Sequence, residues 1–172
     1  MPNLDQAHVN FAVYEDSVEY LGIAQATLPT LEQLVQELSG AGIAGNVEAV
    51  LRGHFAAMTL GLQFRTMNAE SIKLAEPRRH NIDLRVARQD ENTESGQIEI
   101  ASIKHIFVVV PKSLNPGNVA PHSTADGSGQ YAVRYWAMYI NGQLVTEIDQ
   151  LNYKCVIDGV DYLASVRAAL GK

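Results

Sequence analysis

The dipeptide Asn141-Gly142 constrains this sequence more than any other feature, because runs of alternating apolar and polar residues flank it on both sides. An Asn-Gly pair between two such runs is the strongest short-range signal of a β-hairpin, since both residues readily adopt positive φ in a type I′ turn. We therefore predict strands over residues 131–140 and 143–149, joined by a two-residue turn.

Period-two alternation recurs earlier in the chain. In residues 80–89, Ile82, Leu84 and Val86 alternate with more polar neighbours, which predicts a half-buried strand. Residues 97–110 form a longer run whose apolar side chains change parity near Ala101-Ser102, and this change predicts a β-bulge there. β-Branched and aromatic content between turn residues predicts further strands at residues 10–14, 19–27, 46–51, 54–66 and 153–157.

Helical signals are fewer and shorter. Asn68 is a suitable N-cap and Pro77 a suitable stop, so we predict a helix over residues 68–76 that turns Ile72, Leu74 and Ala75 toward the core. A second helix is predicted over residues 160–170, ended by Gly171. The composition of residues 111–129, which are rich in proline, glycine, serine and asparagine, predicts an exposed loop.

Residues 30–38 give conflicting signals. Thr30 with Gln33 three positions later resembles a capping box, and the leucines that follow fall at helical spacing. These local rules favour a short helix. Because Pro29 follows a strand-like run, the segment can also continue that run as a strand.

The chain length, the hydrophobic fraction and the number of predicted strands and helices fit a mainly β protein. The chain has 172 residues, of which 47% are hydrophobic, which is enough for a single domain over residues 1–172 with a sizeable core. The pattern contains about eight strands and two or three short helices without a βαβ rhythm. We therefore expect an antiparallel β-sandwich or barrel.

Charge and composition exclude several classes of function. The net charge is −6, and no block of lysine and arginine is present, so a nucleic-acid binder is not expected. No apolar run reaches the length of a membrane span, and no signal peptide is recognisable. We expect a soluble protein that is made in the cytoplasm and does not insert into membranes. The single cysteine, Cys155, excludes an internal disulfide, and its apolar setting predicts a buried, inert thiol.

A glycine-rich stretch closes the segment from Leu28 to Asn46, which we call the arm segment. Residues 40–45 spell the dinucleotide-binding pattern GxGxxG, but that pattern requires a buried strand before it and a helix after it. Neither is predicted here, and Phe64 and Arg65 stand where an acidic ribose partner is expected. We interpret the stretch as the mobile tip of a docking arm, which becomes ordered when it binds.

No constellation of catalytic residues is recognisable, and we predict no enzyme, cofactor or metal site. The five histidines are scattered without ligand spacing, and each is expected to be structural. Candidate carboxylate pairs, Asp83 with Asp90 and Glu147 with Asp149, arise readily by chance on strand faces. The aromatic run over residues 131–139 could stack on sugars or bases, but packing in the core or an interface is the preferred interpretation.

Several short stretches near the C-terminus form a series: YING at residues 139–142, VTEID at 145–149, VIDGVD at 156–161, and residues 163–171. This series resembles the C-terminus of the major tail tube proteins of contractile-tailed phages and of R-type bacteriocins. The N-terminal half is similar in the order of its parts, a strand, a TLPxL segment, the arm segment and a strand pair. The matching motif residues are Glu147, Asp149, Asp158, Gly159, Asp161 and Arg167.

The resemblance implies a β-sandwich subunit whose sheet edges join those of its neighbours into six-membered rings around a lumen, with the rings stacked into a tube. It implies that the arm segment docks on the adjacent ring through Leu31, Glu37, Leu38, Gly40, Gly42, Ile43, Gly45 and Asn46. Acidic side chains would line the lumen and let DNA pass without binding, and the candidates are Glu48, Asp83 and Glu99.

The implied partners are further copies of this chain, a sheath protein outside the tube, and baseplate, tape-measure and tail terminator proteins. The mature location would be a virion tail or a tail-like particle. Two alternatives stay open: the tube of a type VI secretion system, and a small ligand-binding β-sandwich that uses the aromatic run over residues 131–139.

Overall fold

The computed structural model describes residues 3–16, 18–20 and 22–172, and within them the chain forms twelve strands and two short helices. The first half contains β1 (Asn3–Glu15), β2 (Val18–Glu19), β3 (Ile23–Thr27), β4 (Gln33–Leu38), β5 (Val47–Phe55), β6 (Met58–Phe64) and α1 (Ala69–Lys73). The second half contains β7 (His80–Asn92), β8 (Ile98–Asn115), β9 (Gly127–Ile140), β10 (Gln143–Asp149), β11 (Lys154–Ile157), β12 (Val160–Asp161) and α2 (Ala164–Ala169).

The strands form one large antiparallel sheet and one separate hairpin. The main path runs β12-β11-β10-β9-β8-β7-β1-β2, and β6 joins it by pairing with both β3 and β9. Strand β9 bends so that its first half pairs with β6 and its second half with β10, both along the same edge. The sheet thereby folds over on itself without closing in the described residues. This arrangement confirms the predicted mainly antiparallel β fold.

The core lies between the face formed by β1, β7, β8 and β9 and the strands that pair with the other edge of β9. Ile82 and Leu84 of β7 pair with Phe107 and His105 of β8, and all four side chains are buried. The remaining buried apolar residues of this cluster are Val13, Tyr20, Phe55, Met58, Leu60, Leu62, Phe64, Leu74, Val109, Tyr131, Val133, Trp136, Ile148, Cys155 and Leu163. The alternation seen in the sequence is therefore the alternation between core and outer face.

The predicted hairpin at Asn141-Gly142 is confirmed. Asn141 has φ 47° and Gly142 has φ 80°, and the turn joins β9 to β10 in antiparallel register. The Asn141 side-chain oxygen also accepts a hydrogen bond of 3.0 Å from the backbone N–H of Ser102. The turn is thus fastened to β8 as well as to its own two strands.

The bulge predicted near Ala101-Ser102 is wrong. The β7–β8 ladder is unbroken there, and Ile98 and Ile100 lie on the outer face with about 60% of their surface exposed. The apolar residues change parity because the first residues of β8 lie beyond the core. Core packing therefore does not determine which face carries the isoleucines there. The register shifts lie further along β8, where it pairs with β9.

The helix favoured over residues 30–38 is also wrong, since Gln33–Leu38 is strand β4. It pairs in antiparallel register with β5, for example Val35 with Val50. The backbone hydrogen bonds of this pairing outweigh the helical spacing of the leucines, since tertiary context routinely overrides intrinsic propensity. The predicted break at Arg52-Gly53 is absent as well, because β5 continues through it to Phe55.

Both helices form, but they are shorter than predicted. The Asn68 side chain accepts a hydrogen bond of 2.7 Å from the Ser71 N–H, which confirms it as the N-cap of α1. Leu74 is fully buried as predicted, whereas Ile72 is 55% exposed. Helix α2 begins only at Ala164, because residues 160–161 pair with β11 as β12. The predicted loop over residues 111–129 is reduced to residues 116–126 by the extension of β8 and β9.

Candidate assembly surfaces

The β4–β5 hairpin pairs with no other strand in the described part of the chain. Almost all of its side chains are exposed, including a set of large apolar ones on or beside its strands: Leu31, Leu34, Val35, Leu38, Ile43, Val47, Val50 and Leu51. A two-stranded hairpin is marginally stable by itself in water, and soluble monomers rarely expose so many neighbouring apolar side chains. The hairpin therefore has the character of an unpartnered docking element.

The structure brings the predicted arm residues together in this hairpin. Leu31 precedes β4, Glu37 and Leu38 end it, and Gly40, Gly42, Ile43, Gly45 and Asn46 form the tip, all of them exposed. The Asn46 side chain donates a hydrogen bond to the Glu37 carboxylate across the base of the tip. Because an exposed strand precedes the glycines and another strand follows them, the tip lacks the strand–turn–helix setting that dinucleotide binding requires.

The hairpin carries an unusual charge pair. Glu37 of β4 and Glu48 of β5 lie directly opposite each other in the register, and neither forms an ion pair with any described residue. Like charges directly opposite each other destabilise an antiparallel pair. Both carboxylates are exposed and available to cations outside this chain.

The base of the hairpin is held by the C-terminal segment. Gly53 of β5 has φ 70°, and a Cβ atom at this position would lie 2.6 Å from the Leu163 side chain. Leu163 is buried in the core against this glycine. The Gln150 side chain donates hydrogen bonds of 3.1 and 3.3 Å to the carbonyls of Phe55 and Ala56. The hairpin thus has a fixed base and a free tip.

The residues of the C-terminal motif series lie around the base of the hairpin and make structural contacts there. Arg167 of α2 lies 2.5 Å from the Asp161 carboxylate and donates a 2.6 Å hydrogen bond to the Tyr153 carbonyl. The bond from Arg167 is the main reason why the pKa of Asp161 lies below its usual range. Asp158 and Gly159 form the turn between β11 and β12.

The remaining two motif residues act on strand β10. Glu147 forms an ion pair of 2.8 Å with Lys154 and accepts a 3.0 Å hydrogen bond from the Tyr135 hydroxyl. Asp149 accepts hydrogen bonds from the backbone N–H groups of Leu151 and Asn152, and so shapes the turn into β11. The geometry gives the motif residues a role in stabilising the end of the sheet.

The three candidate lumen residues do not share one surface of the subunit. Asp83 lies on the outer face of β7, where Arg85 and Lys104 approach its carboxylate at 2.9 and 3.3 Å. Glu99 of β8 pairs with Asp90 and lies on the opposite face of the same ladder, beyond the core. Glu48 lies on the separate hairpin. The charge of Asp83 is compensated by its two neighbours, so it contributes little repulsion.

A buried carboxylate that sequence reasoning missed ties β1 to the start of β7. Glu15 is 5% exposed and its oxygens lie 2.5 Å from His80 Nδ1, 2.5 Å from the Tyr20 hydroxyl and 3.2 Å from Arg78. Burial alone would raise the pKa of Glu15, but the bonds from Tyr20 and His80 and the nearby positive charges hold it below its usual value. No sequence pattern joins these residues, because Glu15 and His80 are 65 positions apart.

His80 completes this network at a fully buried position. Its second ring nitrogen lies 3.1 Å from the carbonyl oxygen of Glu76, so both nitrogens face acceptors. A neutral imidazole has only one N–H, and only the charged ring donates at both positions. The Glu15 carboxylate and the Glu76 carbonyl therefore hold the buried ring on both sides, and the role of the site is structural.

His105 is a second buried histidine, with a different environment. Its Nδ1 accepts a 3.2 Å hydrogen bond from the indole N–H of Trp136, and its ring stacks on Phe107. Burial is the main reason why the pKa of His105 is lowered to about 4. The ring is therefore neutral at physiological pH.

The lowered pKa of His105 predicts a specific acid sensitivity. The unfolded chain takes up this proton near pH 6.5, whereas the folded chain does so only near pH 4, so the free energy of unfolding should fall between these values. The expected loss from this group is about 3 kcal/mol. Urea titrations at pH 7.5, 5.5 and 4.5 would measure it. His105→Gln keeps an acceptor for Trp136 and should show a smaller loss, and an identical pH dependence would contradict the assignment.

The residues that the sequence offered as candidates for ligand binding or reactivity lie in environments typical of a structural role. Tyr131 and Trp136 are buried in the core, so the aromatic run offers no continuous stacking surface. Cys155 is buried, and burial raises the pKa of its thiol.

Among the described residues, no group of three or more histidine, cysteine, aspartate or glutamate side chains could hold a metal ion. Neither of the described helices is long and apolar enough to cross a membrane.

Comparison with solved structures supports the fold. A chain in the cryo-EM structure of the sheath/tube terminator of the extracellular contractile injection system PVC, in the extended state, is similar with a TM-score of 0.53 and 12% identity. The match covers 76% of this chain and 94% of that one. A chain in the PVC sheath-tube complex in the extended state is similar with a TM-score of 0.50 and 12% identity, over 76% of this chain and 88% of that one.

The sequence itself identifies the family. No curated protein matches it. The family described as "Phage tail tube protein FII" matches residues 6–171, which is nearly the whole chain. The exposed hairpin, the open antiparallel sheet and the structural role of the C-terminal motif residues all fit a subunit built for assembly. The chain belongs to the phage tail tube protein FII family.

Proposed function

We propose that this chain is the inner tube subunit of a contractile tail or tail-like particle, and that it assembles as stacked hexameric rings around a lumen. The family match supports a tail tube subunit. The similar chains come from a contractile injection system, which favours the contractile setting for this chain. The proposal rests on one observation above all, the β4–β5 hairpin with its unpartnered apolar side chains.

Unpaired strand edges support ring formation. Strand β1 pairs with β2 only at Tyr14 and Glu15, so the edge of its residues 3–12 has no partner among the described residues. The first residues of β8 pair with β7 alone, since its pairing with β9 begins at Ile103. Long open edges are an aggregation hazard in a monomer. In a ring they would pair between neighbouring copies, and a ring is the closed form of such a head-to-tail contact.

The remaining expectations follow from this assembly. A sheath protein would surround the tube, and baseplate, tape-measure and tail terminator proteins would contact its ends or lumen. DNA would pass through without specific binding, or the tube would act as a puncturing needle. We propose a purely structural role without catalysis, synthesis in the bacterial cytoplasm and a final location in the tail. The ring-contact residues of the arm segment and the lumen candidates Glu48, Asp83 and Glu99 stay part of this proposal.

A substitution at the hairpin tip tests the proposal. Gly42 has φ 91° and no atom would contact a Cβ added to it, so Gly42→Arg should leave the body of the subunit folded. It should nevertheless block tube growth, because a bulky cation would replace the contact surface of the tip. Negative-stain electron microscopy of concentrated wild-type and variant protein would measure tube number and length. Thermal melting would report on folding.

Gly42→Ala is the matched control. It carries the same backbone strain as the arginine variant, about 1 kcal/mol for a non-glycine residue at positive φ, but adds only one methyl group. We expect the alanine variant to form tubes and the arginine variant to form few or none. Equal tube formation by both variants would contradict a contact at the tip, and unfolding of the arginine variant would place the tip in the core.

A further inference from the structure

The ladder between β8 and β9 contains two bulges, and each extra residue is a cation. Val108 pairs with Tyr135 and Val109 with Val133, so Arg134 is the unpaired residue of the first bulge. Pro111 pairs with Tyr131 and Ser113 with Gln130, so Lys112 is the unpaired residue of the second. Bulges redirect side chains and are frequent beside functional surfaces. Here they turn two basic side chains to the outer face.

Both cations lack an acidic partner in the described part of the chain. Arg134 is exposed and forms no hydrogen bond or ion pair there, and the Lys112 ammonium contacts only the Thr59 hydroxyl, at 3.4 Å. Arg85, Arg88, Lys154 and Arg167 differ, because each is paired with a carboxylate. The strand rise places the two free cations roughly 10 Å apart.

A shallow trough of about 460 Å³ is lined by Thr59, which the Lys112 ammonium contacts, and by Gln130 of β9, the strand that also carries Arg134. Its floor is made of short side chains and backbone from β3, β6 and β9, including Thr59, Gly61 and Ser128. Glu32 and Ala56, at the base of the β4–β5 hairpin, line its other end. The lining itself carries one charged side chain, Glu32, and Lys112 of β8 reaches the trough at Thr59.

The β4–β5 hairpin has the complementary charge. Glu37 and Glu48 project as a directly opposed pair without any cation of their own chain, about 5 Å apart by the geometry of antiparallel pairs. We propose that the hairpin of a second copy lies across the trough and places Glu37 and Glu48 against Arg134 and Lys112. This inference rests on the proposed function and names the surface that receives the hairpin. It also moves Glu48 from the lumen to a contact between copies.

A second copy is favoured over a different acidic protein because one chain carries both halves of the contact. Within one chain, no ion pair joins Glu37 or Glu48 to Lys112 or Arg134 among the described residues. A head-to-tail contact of this kind repeats without limit, as a polymer requires.

Charge reversal in pairs tests the contact. Lys112→Glu/Arg134→Glu and Glu37→Lys/Glu48→Lys should each reduce sedimenting polymer at least tenfold, because like charges then meet across the interface. An equimolar mixture of the two variants should polymerise again, since each hairpin finds a trough of opposite charge on the other variant. Lys73→Glu/Arg79→Glu changes two exposed, unpaired cations away from the trough and should polymerise as the wild type does. Melting temperatures verify that all variants fold.

A zero-length carbodiimide cross-link gives an independent readout. In wild-type polymer mixed from light and isotope-labelled chains, Lys112 should be joined to Glu37 or Glu48 between chains of different label. Wild-type tubes without this cross-link, or reversal variants that polymerise alone, would overturn the docking surface while leaving the proposed function intact. If only the trough variant fails and the mixture does not recover, the partner is a different acidic protein. A wild type that stays monomeric would contradict the proposed function itself.

Discussion

Glu15→Ala is expected to destabilise the subunit by about 3–5 kcal/mol, the usual cost of removing one partner from a buried ion pair. The substitution leaves His80 fully buried and without its carboxylate, and it removes the acceptor of the Tyr20 hydroxyl. This is a large part of the stability of a typical domain. Urea denaturation at pH 7 would measure it.

Two controls separate the buried pair from charge in general. Glu19→Ala removes an exposed carboxylate on β2 and should change the free energy of unfolding by less than about 0.5 kcal/mol. In the double variant Glu15→Ala/His80→Ala, the cost should be smaller than the sum of the two single costs, because the orphaned partner is gone. Strict additivity would contradict an energetic coupling between the two residues.

The same network predicts the response to acid. The pKa of Glu15 lies below its ordinary value, so its stabilising contribution is complete above about pH 4.5 and is lost as the pH falls through the lowered pKa. This loss begins near the lower end of the pH range in which His105 acts. The two effects can therefore be separated by the variants at each position.

Removal of residues 160–172 is the second large effect and should cost about 5 kcal/mol or more. Truncation of buried leucines costs about 2–5 kcal/mol, and Leu163 fills the space beneath Gly53. The loss of Arg167, with its bonds to Asp161 and the Tyr153 carbonyl, adds about 1.5–3 kcal/mol for charged hydrogen bonds. Most of the truncated chain should be unfolded or aggregated at 37 °C, as measured by circular dichroism and gel filtration.

Removal of residues 170–172 alone is the matched control. Leu170 is 54% exposed, and Lys172 contributes one cation–π contact with Tyr153. We expect a loss below about 1 kcal/mol. If this short truncation were as harmful as the longer one, the stabilising contacts would lie at the last residues and not at Leu163 and Arg167.

The sequence predicts the fold best where local signals and long-range pairing agree. Asn141-Gly142 and the alternation of Ile82 and Leu84 depend on chain geometry that is visible locally, and both predictions hold. Residues 33–38 fail because their strand exists only through pairing with β5, while their own leucine spacing favours a helix. The bulges at Lys112 and Arg134 could not be predicted, since a register shift depends on two strands at once.

The assembly surfaces are predicted in part. The glycine-rich tip and its exposure follow from composition, because three glycines within six residues resist ordering. The opposed carboxylates of Glu37 and Glu48 require the register of β4 and β5, which the sequence does not contain. The Glu15 and His80 pair likewise depends on tertiary structure, since β1 and the start of β7 are distant in the chain.

The bend of β9 has a consequence for synthesis on the ribosome. Met58 of β6 pairs with Val133 of β9, so β6 cannot acquire this neighbour until 75 further residues have been made. At roughly 5–20 residues per second, the wait is roughly 4–15 seconds. During that time each nascent chain exposes a hydrophobic strand edge. Such open edges are prone to aggregate, so the delay lengthens the period in which an incomplete chain is vulnerable.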